Sequence, residues 1–123
     1  MIIEIDFNSD EALYQQLRNQ IILGIATSVI REGEILPSVR QMADDIGINM
    51  QTVNKAYSLL RQEGFVKVDR RHGAMVAVDA DALKARAVAD KNLRVILAEA
   101  VCRGVTREEL HRMVDQICDD YRS

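Results

Sequence analysis

Tryptophan is absent from this chain of 123 residues, and aromatics together make up only 4% of it. Any core must therefore rest on Ile, Leu, Val, Ala and Met. Cysteine is limited to Cys102 and Cys118, too few for a disulfide framework and in keeping with a reducing compartment. No apolar run approaches the roughly 20 residues that span a bilayer. The opening MIIEIDF has no basic region of the kind that begins a signal peptide. A cytoplasmic protein with no membrane partner is expected. A positive excess is missing as well. The net charge is −3; residues 1–78 hold 8 Lys/Arg against 10 Asp/Glu, and residues 79–123 hold 8 against 9. That balance counts mildly against a nucleic-acid partner, although a DNA reader needs a local positive face rather than a positive total. Lys55, Arg61, Lys67, Arg70 and Arg71 supply the bases for such a face, while acids gather at Asp10, Glu11, Glu32, Glu34, Asp44 and Asp45. Also absent are a nucleophile–base pair, a phosphate-binding loop and a paired-carboxylate arrangement, so neither an enzyme nor a cofactor is expected.

What is present is pattern. Ile3, Ile5 and Phe7 alternate with Glu4 and Asp6, which predicts a short strand. From about Asp10 to Val29, Leu13, Leu17, Ile21 and Ile25 recur every fourth residue and predict a helix. Arg31-Glu32-Gly33-Glu34 reads as a polar turn. Pro37, the only proline, sits where a helix has not yet begun, because the residue before a proline avoids helical geometry. Ser38 and Gln41 then have the spacing of a capping box. Val39, Met42, Ala43 and Ile46 give one apolar stripe, Gly47 suits a left-handed stop, and Asn49 caps a further helix. That helix repeats the spacing with Val53, Ala56, Tyr57 and Leu60. Two short amphipathic helices joined by about three residues must cross steeply, as in a helix-turn-helix. Phe65–Val68 and Ala74–Val78 are strand-forming, and the Asp69–Gly73 tip between them is basic. The predicted fold is mostly α with a small β-wing, a winged helix-turn-helix over residues 1–78.

From Asp79 onward no strand signal appears. Leu93, Ile96, Leu97 and Ala100 form one apolar face. Gly104 breaks the helix, Thr106 and Glu109 have capping-box spacing, and Leu110, Met113, Val114, Ile117 and Tyr121 form a second face. Residues 79–123 are expected to be a C-terminal two-helix dimerisation hairpin, because two such helices bury too little to be stable alone. Cys102, His111 and Cys118 could meet there and bind zinc. Without a tight C-x-x-C or H-x-x-x-H pair the signal is poor, and buried free thiols are the commoner state.

The chemistry on the proposed second helix of the motif is that of a groove reader. Gln51 and Asn54 carry amides suited to an adenine edge, and Thr52 suits a phosphate or a thymine methyl. Lys55, Arg61, Arg70 and Arg71 can neutralise phosphates. Each has a plainer alternative. Ser38 and Asn49 are caps first, Lys55 and Arg61 could be a solvated helix face, and Arg40 could pair with Asp44 four residues on. His72 could be an ordinary turn residue. Tyr57 lies on the buried stripe and is expected in the core.

Taken together, Leu13-Tyr14-Gln15-Gln16-Leu17, Leu36-Pro37-Ser38-Val39-Arg40, Thr52-Val53 with Ala56-Tyr57 and Leu60, and Glu63-Gly64 resemble the DNA-binding domain of GntR-family bacterial transcription regulators. The likeness runs from about residue 9 to 78. The short two-helix tail resembles the YtrA-like subfamily, whose small C-terminal region serves dimerisation. The resemblance implies a cytoplasmic, sequence-specific DNA-binding regulator, a repressor, acting as a homodimer through residues 79–123 on an inverted-repeat operator. It implies operator contact by Arg40 and by Gln51, Thr52, Asn54 and Lys55 at the start of the recognition helix. His72 and Gly73 fall at the wing tip, which approaches the minor groove in the family. Met50 stands where relatives often carry arginine or proline, and a thioether cannot make a bidentate guanine contact. The larger GntR effector domain has no counterpart in residues 79–123, so a small effector would have to bind beside the tail or at a dimer interface. A function of another class, a winged helix used for protein–protein contact, is favoured by Met50 and by the acidic balance.

Overall fold

The computed structural model describes residues 3–122. The chain divides into two compact units at the junction of Asp79 and Ala80. The first contains α1 (Leu13–Ala26), α2 (Val39–Ile46), α3 (Met50–Gln62) and the antiparallel pair β1 (Val66–Asp69) and β2 (Gly73–Val76). The second contains α4 (Ala82–Cys102) and α5 (Arg107–Arg122). This is a winged helix-turn-helix followed by two C-terminal helices.

The core of the first unit forms where the stripes converge. Leu17 and Ile21 of α1, Met42 and Ala43 of α2, and Val53, Ala56, Tyr57 and Leu60 of α3 are all buried, together with Ile30, Leu36, Val66 and Val76. Buried apolar surface is the main driving term for folding. Ser38 accepts from the Gln41 N–H at 3.1 Å, and Asn49 accepts from the Thr52 N–H at 2.7 Å. Gly47 closes α2 at φ 74°, a backbone state that suits glycine. Gly24 serves closeness instead: a Cβ there would lie 2.6 Å from Cδ1 of Ile30, so the chain leaving α1 could not fold back as tightly.

Four expectations are corrected. Residues 3–7 form no strand. Their backbone is bonded by two glutamines one turn apart on α1: the Asp6 N–H donates to Gln16 Oε1 at 2.9 Å, and the Glu4 N–H donates to Gln20 Oε1 at 2.8 Å. Gln16 Nε2 donates in turn to the Asp6 and Glu11 carbonyls, which satisfies a polar side chain that is buried beside the core. Helix α1 begins at Leu13 and ends at Ala26, shorter than the periodicity suggested, and Ala12 offers it no side-chain cap. The capping box at Ser38 is half made: the Ser38 hydroxyl accepts from the Gln41 N–H, but the Gln41 side chain is turned to Asp45, to which its Nε2 donates, and does not take the Ser38 N–H. Cys102 and Cys118 are free but exposed, not buried.

The segment before Pro37 also does more than turn. Leu36 N–H donates to the Ala74 carbonyl at 2.8 Å, and Val76 N–H donates to the Glu34 carbonyl at 2.8 Å, so this short stretch borders the wing along β2. It ties the entry of α2 to the wing and fixes their spacing. Tyr57 reinforces that tie: its hydroxyl donates to the Pro37 carbonyl at 2.8 Å, and burial pushes its pKa above the ordinary range.

The second unit is built differently. Asp81 caps α4 by accepting from the Lys84 N–H, and Thr106 caps α5 by accepting from the Glu109 N–H. Helix α4 buries none of its side chains, and α4 and α5 share few contacts. No helix among the described residues is long and apolar enough to cross a membrane. No group of three or more His, Cys, Asp or Glu among them is placed to hold a metal ion.

Candidate nucleic-acid interface

Burying Val53, Ala56, Tyr57 and Leu60 on one side of α3 turns the opposite side outward. Gln51, Asn54 and Lys55 are exposed there, and Thr52 is half-buried at the edge. Ser38 and Arg40 are exposed at the start of α2. Arg40 forms no ion pair among the described residues, so the alternative of a bond to Asp44 is not realised. Arg70, Arg71, His72 and Gly73 are exposed at the wing tip. All ten of these side chains or backbone positions belong to the first unit, on α2, α3 and the wing.

Two parts of this surface are more constrained than their exposure suggests. The Lys55 ammonium lies 3.9 Å from the centroid of the Tyr14 ring on α1. Such a contact contributes about 0.5–1 kcal/mol at an exposed site, and it steadies a long side chain that would otherwise sample many rotamers. The wing tip is organised by Asp69, which pattern alone did not single out. Its carboxylate accepts from the Arg71 N–H at 2.8 Å and lies 2.9 Å from His72 Nδ1. The His72 hydrogen bond, followed by the Arg71 N–H, holds the Asp69 pKa below its ordinary value. An aspartate two residues before the bonded N–H, within a basic turn, is a local signal that could have been noticed.

The geometry of α3 is secured from α1. Arg18 Nε and Nη2 reach the two carboxylate oxygens of Glu63 at 2.9 and 3.0 Å, a bidentate bond between α1 and the residue that ends α3. Because α3 is held at that end and at Tyr57, its exposed N-terminal turn is presented on a fixed axis. An outward polar helix face, two capped helix starts with free backbone N–H groups, and a basic hairpin beside them can together engage a polyanionic duplex.

The model of the bacterial regulatory proteins of the gntR family matches residues 10–76. The HTH-type transcriptional repressor YtrA of Bacillus subtilis (strain 168) is 29% identical, the match covering 98% of this chain and 95% of that protein. Among solved structures, a transcriptional antiterminator from Listeria monocytogenes EGD-e superposes with a TM-score of 0.88 at 28% identity, covering 100% of this chain and 94% of the other. YtrA from Sulfolobus acidocaldarius, a GntR-family transcription factor, superposes with a TM-score of 0.69 at 37% identity, covering 83% of this chain and 99% of the other.

Proposed function

The chain belongs to the gntR family of bacterial regulatory proteins and is a DNA-binding transcription regulator, and we propose that it acts as a homodimeric repressor on an inverted-repeat operator. The observation that carries this is the outward polar face of α3, with Gln51, Asn54 and Lys55 exposed. Two copies related by a two-fold axis would set two such helices into successive major grooves, about 34 Å apart or a multiple of that. The copies would pair through residues 79–123, whose apolar side chains Leu93, Ile96, Val114 and Ile117 are exposed in the single chain. Repression follows the relative named a repressor, which this chain matches along nearly its whole length.

In this arrangement Arg40, Gln51 and Thr52 meet base edges or phosphates in the major groove. Ser38 and the backbone at the start of α2 take a phosphate, and Arg70, Arg71, His72 and Gly73 bring the wing to the neighbouring groove. The test uses duplexes selected from the source genome. Arg40→Ala and Lys55→Ala each weaken binding by about tenfold, Arg40→Ala with an unchanged thermal melt and Lys55→Ala with a midpoint lower by a few degrees as its contact with Tyr14 is lost. Wild-type affinity falls steeply with salt, as phosphate contacts require. Full affinity in both variants would remove the assigned surface. A wild-type chain that shifts no duplex would leave protein–protein contact as the role of the fold.

A further inference from the structure

The winged unit ends in a stretch that is fastened residue by residue. Ala77 N–H donates to the Phe65 carbonyl at 3.1 Å, and Asp79 N–H donates to the Gly64 carbonyl at 2.7 Å. Between them, Val78 N–H donates to the carboxylate of Glu32, 3.2 Å from each oxygen. Glu32 lies 46 residues earlier in the chain, ahead of α2, and is exposed. Its own place is set by β2: Gly33 N–H donates to the Val76 carbonyl at 2.7 Å, and Val76 N–H donates to the Glu34 carbonyl. Beyond the fastened stretch, Ala80 alone separates Asp79 from Asp81, whose side chain caps α4.

These bonds join the exit of the unit to the far end of α3. Gly64, just past that helix, has φ 86°, and a Cβ there would lie 3.0 Å from Cβ of Asp79. Glycine therefore lets the exit close against the end of α3. Two of the three acceptors, at Phe65 and Gly64, are backbone carbonyls, which any side chain leaves in place. The third is the Glu32 side chain, which a substitution can remove. A carboxylate that accepts from a backbone N–H makes a charge-assisted bond. Without it, Val78 is loose and the Asp79 bond stands alone. Two more unfastened residues add up to about 7 Å of reach, about two base-pair steps along a duplex.

We propose that Glu32 is a positioning residue for operator choice: by holding the Val78 N–H it leaves Ala80 as the slack between the winged unit and α4, and so narrows the range of half-site spacings that a dimer accepts. The inference rests on the chain acting as a homodimer on two half-sites. Moving those half-sites apart by one base pair shifts them by about 3.4 Å and turns them by about 34° around the duplex. A dimer follows that change only as far as the chain behind its two reading units gives. In this role Glu32 meets neither base nor phosphate; it acts through the backbone that it holds.

The test uses the full chain and a duplex selected from a randomised library, remade with its spacer shortened or lengthened in single base-pair steps. Affinity is read by fluorescence anisotropy. The wild type should lose about tenfold per step, and Glu32→Ala about threefold or less. A chain with two glycines inserted after Ala80 should be as tolerant as Glu32→Ala. Glu32→Gln keeps an acceptor for Val78 and should follow the wild type. A lone half-site should bind every variant equally well, and the Val78 amide should exchange about tenfold faster in Glu32→Ala. The clamp is overturned by a wild type indifferent to spacer length, by wild-type penalties in Glu32→Ala or in the glycine insertion, by equal tolerance in Glu32→Ala and Glu32→Gln, by weaker half-site binding in Glu32→Ala, or by unchanged Val78 exchange. In each of these cases a wild type that binds paired half-sites leaves the homodimer standing. A wild type that binds no duplex, or single half-sites only, would overturn the homodimer and the clamp with it.

Discussion

The two units use the same residue types to opposite ends. In the winged unit, Leu17, Ile21, Val53, Ala56 and Leu60 have no exposure at all. In the C-terminal unit, Leu93, Ile96, Leu97, Met113, Val114 and Ile117 are all exposed, although they follow, with Ala100 and Leu110, the same three- and four-residue spacing as the buried stripes of α2 and α3. Amphipathic periodicity therefore announces that a face will be covered, without saying by what. In the first unit three helices and a hairpin cover one another. In the second, two helices share few contacts, and so many exposed Leu, Ile and Val side chains mark a surface for association. The proposed homodimer would gain from this division: a winged unit with its own core, and a second unit whose exposed apolar faces another copy would cover.

The largest expected effect breaks the adhesive side. Ile117→Asp places a charge on the exposed apolar face of α5, where it costs a single chain little but would be buried unpaired between two. Sedimentation should show a monomer, and operator affinity should fall by about 10²- to 10⁴-fold as bivalency is lost. A dimer of unchanged affinity would move the pairing surface elsewhere. The next effect strikes the self-contained side. Leu60→Ala removes a fully buried side chain at the meeting of α3 with the rest of the core, and should cost about 2–5 kcal/mol of stability. The contrast is the point of the pair: chemical denaturation should register Leu60→Ala at any protein concentration, whereas Ile117→Asp should abolish the dependence of the midpoint on concentration.

Much of the winged unit was legible because its signals are local. Ser38 and Asn49 stand immediately before the first residues of α2 and α3 and cap them as their chemistry dictates. Gly47 ends α2 for the same kind of reason. The strand expected at Ile3, Ile5 and Phe7 was lost to a tertiary effect. Alternation signals an extended backbone but not its partner, and here Gln16 and Gln20 take hydrogen bonds that a neighbouring strand would have taken. The side chain of Gln41 turned to Asp45, one turn on, and not back to the Ser38 N–H. In the candidate interface, the exposure of Arg40, Gln51 and Lys55 follows from the stripe opposite them. The placing of Asn54 on one cavity with Val68 and Ala74 of the wing does not, because it depends on where β1 and β2 come to rest. The contact of Lys55 with Tyr14 was equally out of reach, since those residues lie on helices far apart in sequence.

Inside the winged unit the wing tip is the exception, and the smallest effect tests it. Residues 70–73 are exposed, so no core holds them; the Asp69 carboxylate does, through the Arg71 N–H and His72. These bonds favour the charged carboxylate and lower its pKa from the ordinary 3.8. The sign follows from linkage. A depressed carboxylate contributes order that is complete above the unfolded pKa and is lost as pH falls through the lower, folded one. The Arg71 amide resonance should therefore titrate with a midpoint below 3.8, while amides of the buried stripe of α3 hold their positions. Asp69→Asn keeps an acceptor for the Arg71 N–H but has nothing to protonate, so its amide shift should be flat over the same range. A wild-type midpoint at or above the ordinary aspartate value would mean that the turn is ordered by something other than this carboxylate. The wing would then belong with the winged unit's self-supporting core.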